Sequence, residues 1–194
     1  SLPVMYLAYR QFLERFDRVP SEAEFASLNG PPLPEVVRRL KASHALPGDE
    51  QHLFDIYEET IDEIYVAVKP CLGADELLNA ARRQKCGVGI VTSNSRRRAL
   101  SWLNGTGLST WIDFIVAGED VVHGKPHPEP YLAASRKVSC ALSAIVAIED
   151  SPQGARSAVA AGVRTLVVTQ GQHTDWPEGA TPIRSLLQAA DMLW

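Results

Sequence analysis

From Lys69-Pro70 onward the sequence switches repeatedly between short apolar, β-branched runs and helical stretches, and that alternation admits few folds. Residues 88–92, 114–117, 145–148 and 165–168 read as buried strands, with helices expected over 74–84, 96–104, 129–138, 153–161 and 183–190. Strands separated by helices pair in parallel, and a parallel sheet is covered on both faces. The expected fold is α/β, a doubly wound parallel sheet spanning 70–194. Residues 1–69 need no strand. Leu2, Met5, Tyr9, Phe12, Leu13 and Phe16 recur at helical spacing, and Ser21 with Glu24 marks a second helix start. Pro34 suits the first turn of a third helix, and a longer one is expected over 49–68, giving an α-helical domain ahead of the α/β domain.

Charge and cysteine usage narrow the function. The formal net charge of -4 gives no basic field for nucleic acid, and Arg96-Arg97-Arg98 is too short to supply one. No apolar run is long enough to cross a bilayer, so neither nucleic acid nor a membrane is an expected partner. Cys71, Cys86 and Cys140 are scattered and odd in number, which points to free thiols, buried or half-buried, in a reducing compartment. The expected location is cytoplasmic.

Ligands of open parallel sheets sit beyond the carboxyl ends of the strands, which directs attention to three segments. Ser93-Asn94-Ser95 closes the first strand and offers hydroxyls, backbone N–H groups and a helix start suited to an anion, although the same residues would serve as a helix cap. Gly124-Lys125-Pro126-His127-Pro128-Glu129-Pro130-Tyr131 sets an ammonium in a rigid turn, where it can face a phosphoryl group or simply solvent. Flanking Lys125, His123 and His127 either tune its field or lie exposed in the loop. Ile148-Glu149-Asp150-Ser151-Pro152-Gln153-Gly154-Ala155 delivers two adjacent carboxylates and then a helix start. Carboxylates there suit Mg²⁺, with Asp150 as the direct ligand and Glu149 beside it; Asp150 or Ser151 acting as a cap is the alternative.

These three segments, in this order, resemble the second, third and fourth motifs of the haloacid dehalogenase superfamily of phosphohydrolases. The stretches around Trp111-Ile112-Asp113-Phe114 and Ala158-Val159-Ala160-Ala161-Gly162-Val163 resemble its phosphatase and β-phosphoglucomutase subfamily. Similarity covers about 70–175, and the helical segment before it fits the small α-helical cap of that subfamily. The resemblance implies that Ser93 hydrogen-bonds the phosphoryl group with help from Asn94. It implies too that Lys125 ties nucleophile to phosphate, and that Asp150 with Glu149 serves Mg²⁺. The Glu-Asp-Ser-Pro form points to the Mg²⁺-dependent phosphate branch rather than to true dehalogenases.

One part of the pattern is missing. Family members attack with the first aspartate of an Asp-x-Asp-Gly segment, and Ser1-Leu2-Pro3 resembles the residues that follow it. The resemblance places the absent strand at the centre of the sheet, and an upstream segment of ~10–20 residues would supply it. Residues 1–194 alone are expected not to turn over. In the cap, Asn29 within Leu28-Asn29-Gly30-Pro31-Pro32-Leu33 is the expected substrate contact, with Arg38, Arg39 or His44 nearby. That turn has no lysine for a Schiff base and no arginine for a sugar bisphosphate, which favours a small phosphate monoester. The expected partner is a small phosphorylated metabolite, bound by a monomer or homodimer. The alternatives are a non-catalytic phosphate-binding or interaction protein, a truncated form, or a mutase.

Overall fold

The computed structural model describes residues 2–28, 31–169 and 175–193. The chain divides into two compact units, Ser1–Val68 and Lys69–Trp194. Among the described residues, no helix is long and apolar enough to cross a membrane.

The first unit contains helices α1 (Leu2–Glu14), α2 (Glu22–Ser27), α3 (Leu33–His44) and α4 (Glu50–Tyr65). α4 packs against both α1 and α3, and their apolar stripes meet in a core of Phe12, Leu13, Val37, Leu40, Leu53, Tyr57 and Ile61. Phe12 stacks on Tyr57 with ring centroids 4.5 Å apart, and burying side chains of this size contributes ~1.5–3 kcal/mol each. Pro34 lies in the first turn of α3, and Asp49 caps α4 by accepting from the His52 N–H. Ser21 caps α2 as its spacing suggests, but Glu24 does not reach back to complete a capping box. Its carboxylate instead accepts hydrogen bonds from Tyr9 at 2.5 Å and Ser43 at 2.9 Å, and lies 2.8 Å from His44 Nε2.

That cluster makes the first unit acid-sensitive. Burial pushes the Glu24 carboxyl up, but the hydrogen bonds from Tyr9, His44 and Ser43 together outweigh it and leave the group below its ordinary 4.5. Stability from a lowered carboxyl is present above the ordinary value and is lost as pH falls beneath it. Thermal melts should therefore show the first unit weakening below about pH 4.5. Glu24→Gln should reduce stability at neutral pH by ~1–3 kcal/mol and flatten that acid drop; an unchanged acid limb would assign it to other groups.

The second unit runs α5 (Ala74–Arg83), β1 (Gly89–Val91), α6 (Arg96–Thr106), β2 (Phe114–Val116), α7 (Glu129–Ser135), β3 (Val146–Glu149), α8 (Pro152–Ala160), β4 (Arg164–Val168), β5 (Ala180–Ile183) and α9 (Leu186–Leu193). All pairings are parallel, as the helix–strand alternation requires. The strands form two sheets, β1-β2 and β3-β4-β5, and among the described residues no strand joins β1 to β3. Helices cover both faces of β3. Ala147 packs with Tyr131 of α7 and Ala158 of α8, while Val146 and Ile148 pack with Leu77 of α5 and Ala189 of α9.

β5 is absent from the sequence reading, which runs a helix from 183. Ile183 instead pairs with Val168, so α9 starts at Leu186. Pro182 is tolerated because β5 is an edge strand, paired among the described residues to β4 alone. The cysteines also depart from expectation. Cys71, Cys86 and Cys140 are all free but exposed, because each sits in a connection outside the strands and helices.

Candidate active site

Period-two alternation along β3 sets the centre of the site. Ala147 faces α7 and α8, so Glu149, two residues on, faces the same side at the carboxyl end of the strand. Its carboxylate is buried, with 6% of the side chain exposed, and meets Lys125 Nζ at 2.5 Å; the lysine side chain is itself 11% exposed. Tyr131 donates its hydroxyl to the same oxygen at 2.5 Å, and burial followed by the Glu149 charge pushes the phenol well above its ordinary pKa. Tyr131 therefore stays a donor. Ser151 contributes a longer bond to the other oxygen at 3.4 Å while capping α8 through the Gly154 N–H.

Lys125 also donates to the Val91 carbonyl at 3.0 Å, at the end of β1. One ammonium thus ties the end of β1 to the end of β3, which no strand among the described residues joins. The Val91 side chain and Ala147 share one apolar cluster with Tyr131, whose ring centroid is 5.5 Å from Nζ. An ammonium has three N–H donors, and two are committed here. The Lys125-Pro126 peptide is cis.

Gly154 is required by this arrangement. A Cβ there would lie 2.0 Å from Glu149 Oε2 and 2.2 Å from Cδ, contacts no side chain can hold. Gly154→Ala should displace the carboxylate from Lys125 and Tyr131 and lower stability by ~1–3 kcal/mol, read by urea denaturation. An unchanged midpoint would mean that the glycine is dispensable.

Beyond β1, the Thr92 N–H bonds to the Val116 carbonyl, and the Asn94 carbonyl accepts from the Gly118 N–H at 3.0 Å. A Cβ on Gly118 would stand 2.8 Å from the Ser93 carbonyl, so the chain passes close to this turn. The cap of α6 is Ser95, whose side chain accepts from the Arg98 N–H, and not Ser93 or Asn94. Ser93 is exposed two residues past the carbonyl that holds Lys125. Asn94 is half-buried, with Arg98 Nη1 3.4 Å from its side-chain oxygen. Asp150 follows Glu149 and is exposed; the α8 cap is Ser151, not Asp150.

The donor set separates the two carboxylates chemically. A hard cation such as Mg²⁺ takes oxygen ligands through one or two carboxylates plus waters and substrate phosphate. Exposed Asp150 fits that requirement, while Glu149 already neutralises Lys125. Several other acids of this unit have partners of their own. Asp113 accepts from the Val88 N–H at the start of β1, Asp120 pairs with Arg96 and accepts from the Ala117 N–H, and Glu119 accepts from the Arg96 N–H. Glu129 accepts from the Val122 and His123 N–H groups, and those bonds, with His123, hold it down at about 2.

Sequence reasoning brought Lys125 and Glu149 forward but gave Tyr131, placed in the helix expected over 129–138, no role at the site. Its burial beside β3 emerges only when α7 packs against that strand. Asn29 lies outside the described residues. Arg38 and Arg39 are exposed and paired with Glu35, and His44 belongs to the Glu24 cluster.

The family model for haloacid dehalogenase-like hydrolases matches residues 1–168. A phosphorylated carbohydrates phosphatase of Thermotoga maritima is 26% identical over 168 residues, covering 84% of this chain and 76% of that protein. Glycerol-1-phosphate phosphohydrolase 2 of Saccharomyces cerevisiae is 35% identical over 117 residues, covering 57% of this chain and 44% of its own length. The crystal structure of CbbY from Rhodobacter sphaeroides in complex with phosphate superposes with a TM-score of 0.79 at 20% identity, covering 96% of this chain and 88% of that one. At that identity the likeness speaks for the fold.

Proposed function

This chain belongs to the haloacid dehalogenase-like hydrolases, and from that membership we propose a Mg²⁺-dependent phosphatase of small phosphate monoesters working through an aspartyl-phosphate. The observation that carries the reading is the Lys125 ammonium held between the Val91 carbonyl and the Glu149 carboxylate. A fixed, desolvated ammonium stabilises charge that develops on a transferring phosphoryl group without having to reorganise. Its third N–H and the exposed Ser93 hydroxyl, with Asn94 beside it, are assigned to the phosphoryl oxygens. Tyr131 and Glu149 position the lysine. Asp150 is assigned to Mg²⁺, with Glu149 as its neighbour; the ion, when bound, supplies positive charge against the phosphate oxygens.

The nucleophile is assigned to an aspartate on a strand lying between β1 and β3. Each has an edge with no strand partner among the described residues, and buried unpaired backbone groups cost ~1–3 kcal/mol each. A strand there would satisfy both edges and bring its carboxyl end beside Lys125. The helical unit is assigned the role of cap and substrate selector, by analogy with the subfamily. The phosphorylated carbohydrate and glycerol phosphate named for the relatives favour a small phosphorylated metabolite, and a cytoplasmic location suits that chemistry.

Assays on generic phosphate monoesters, with and without Mg²⁺, test the reading. They are run on residues 1–194 and on a chain extended upstream by an Asp-x-Asp-Gly strand. Activity confined to the extended, Mg²⁺-supplied form supports it. Turnover by neither form would favour a phosphate-binding protein without catalysis.

A further inference from the structure

On the outer side of the loop that carries Lys125, His123, His127 and Glu129 each present one ligand atom, all within 4.8 Å of one another. The two imidazoles are 64% and 49% exposed, and their ring centroids are 4.6 Å apart. His123 Nδ1 is 3.0 Å from Glu129 Oε2, and His127 Nδ1 is 3.9 Å from the same oxygen. We propose that His123, His127 and Glu129 form a binding site for a borderline-soft divalent cation of the zinc class, separate from the phosphate pocket and independent of the activity proposed above.

Three features support that assignment. The donor set is imidazole and carboxylate, which zinc prefers and magnesium does not. Tetrahedral coordination at ~2.0–2.2 Å puts donors ~3.4 Å apart, a spacing that turns of the two exposed rings would approach, with His127 Nδ1 giving up the bond that it accepts from the Glu129 N–H at 3.2 Å. The backbone is already fixed. The His127 carbonyl accepts from buried Ser157 at 2.6 Å, the His127 N–H bonds to the Gly124 carbonyl, and the Val122 and His123 N–H groups hold the Glu129 carboxylate. A fourth position remains for water. Lys125, between the two histidines in sequence, is instead buried against Glu149, so a cation bound outside would not occupy the phosphate site.

The test is a Zn²⁺ titration against a chromophoric indicator, in millimolar Mg²⁺ and with the three exposed cysteines alkylated. One equivalent is expected to bind. His123→Ala and His127→Ala should each weaken it by at least ~10-fold, and the double variant should abolish it, while His52→Ala, exposed in the helical unit, should change nothing. Absence of binding to the unsubstituted protein would overturn the proposal. Binding that survives the double histidine variant, or that is lost only with Asp150→Asn, would overturn it equally. Circular dichroism of the variants confirms that the fold is retained.

Discussion

Replacing Lys125 by alanine is expected to reduce phosphate-ester hydrolysis by ~10²–10³-fold, measured in the form that turns over, because it removes a preorganised charge from the transition state. The same change should cost ~3–5 kcal/mol of stability, because Glu149 would remain buried without its counter-ion. Lost activity alone could reflect that instability, so the pair must be separated. Lys125→Met with Glu149→Gln removes both charges at similar volume, and such replacements are often neutral in stability. The double variant should therefore melt close to the unsubstituted protein and still be inactive. If its activity returned with its stability, Lys125 would be a strut between β1 and β3 and nothing more.

The second large effect concerns the neighbouring carboxylate. Asp150→Asn is expected to lower the Mg²⁺-supported rate by ~10³-fold, since metal stabilisation of a phosphoryl group supplies several kcal/mol of the barrier. Because Asp150 is exposed, the change should alter stability by under ~1 kcal/mol. Glu149→Gln should do the reverse to the fold, leaving Lys125 and Tyr131 with a weaker acceptor in a buried setting. Two adjacent acids would thus separate into one that acts on catalysis and one that acts largely through positioning. Equal loss of Mg²⁺ dependence in both variants would contradict that division.

What could be read from the sequence followed from short-range periodicity. The runs at 88–92 and 145–148 became β1 and β3 because β-branched residues between helical stretches leave little choice. Adjacent carboxylates after an apolar run placed Glu149 and Asp150 at a strand end, but their order of burial depended on pleat direction and on Gly154 making room for one of them. Tyr131 was not legible, since its importance arises from α7 packing beside β3, a contact between elements far apart in sequence. β5 was missed because Pro182 argues against a strand, and only an edge position accommodates it. The Glu24 cluster was hidden for the same reason as Tyr131, its partners being drawn from α1 and α3.

The convergence of Ser93, Lys125 and Asp150 on one bound phosphate is tested most directly by a crystal structure of the protein with inorganic phosphate and Mg²⁺. The account predicts phosphate oxygens against the Ser93 hydroxyl and the Lys125 ammonium, with the ion on the Asp150 carboxylate and Glu149 still joined to Lys125. Phosphate bound away from Lys125, or Mg²⁺ bound without Asp150, would contradict it.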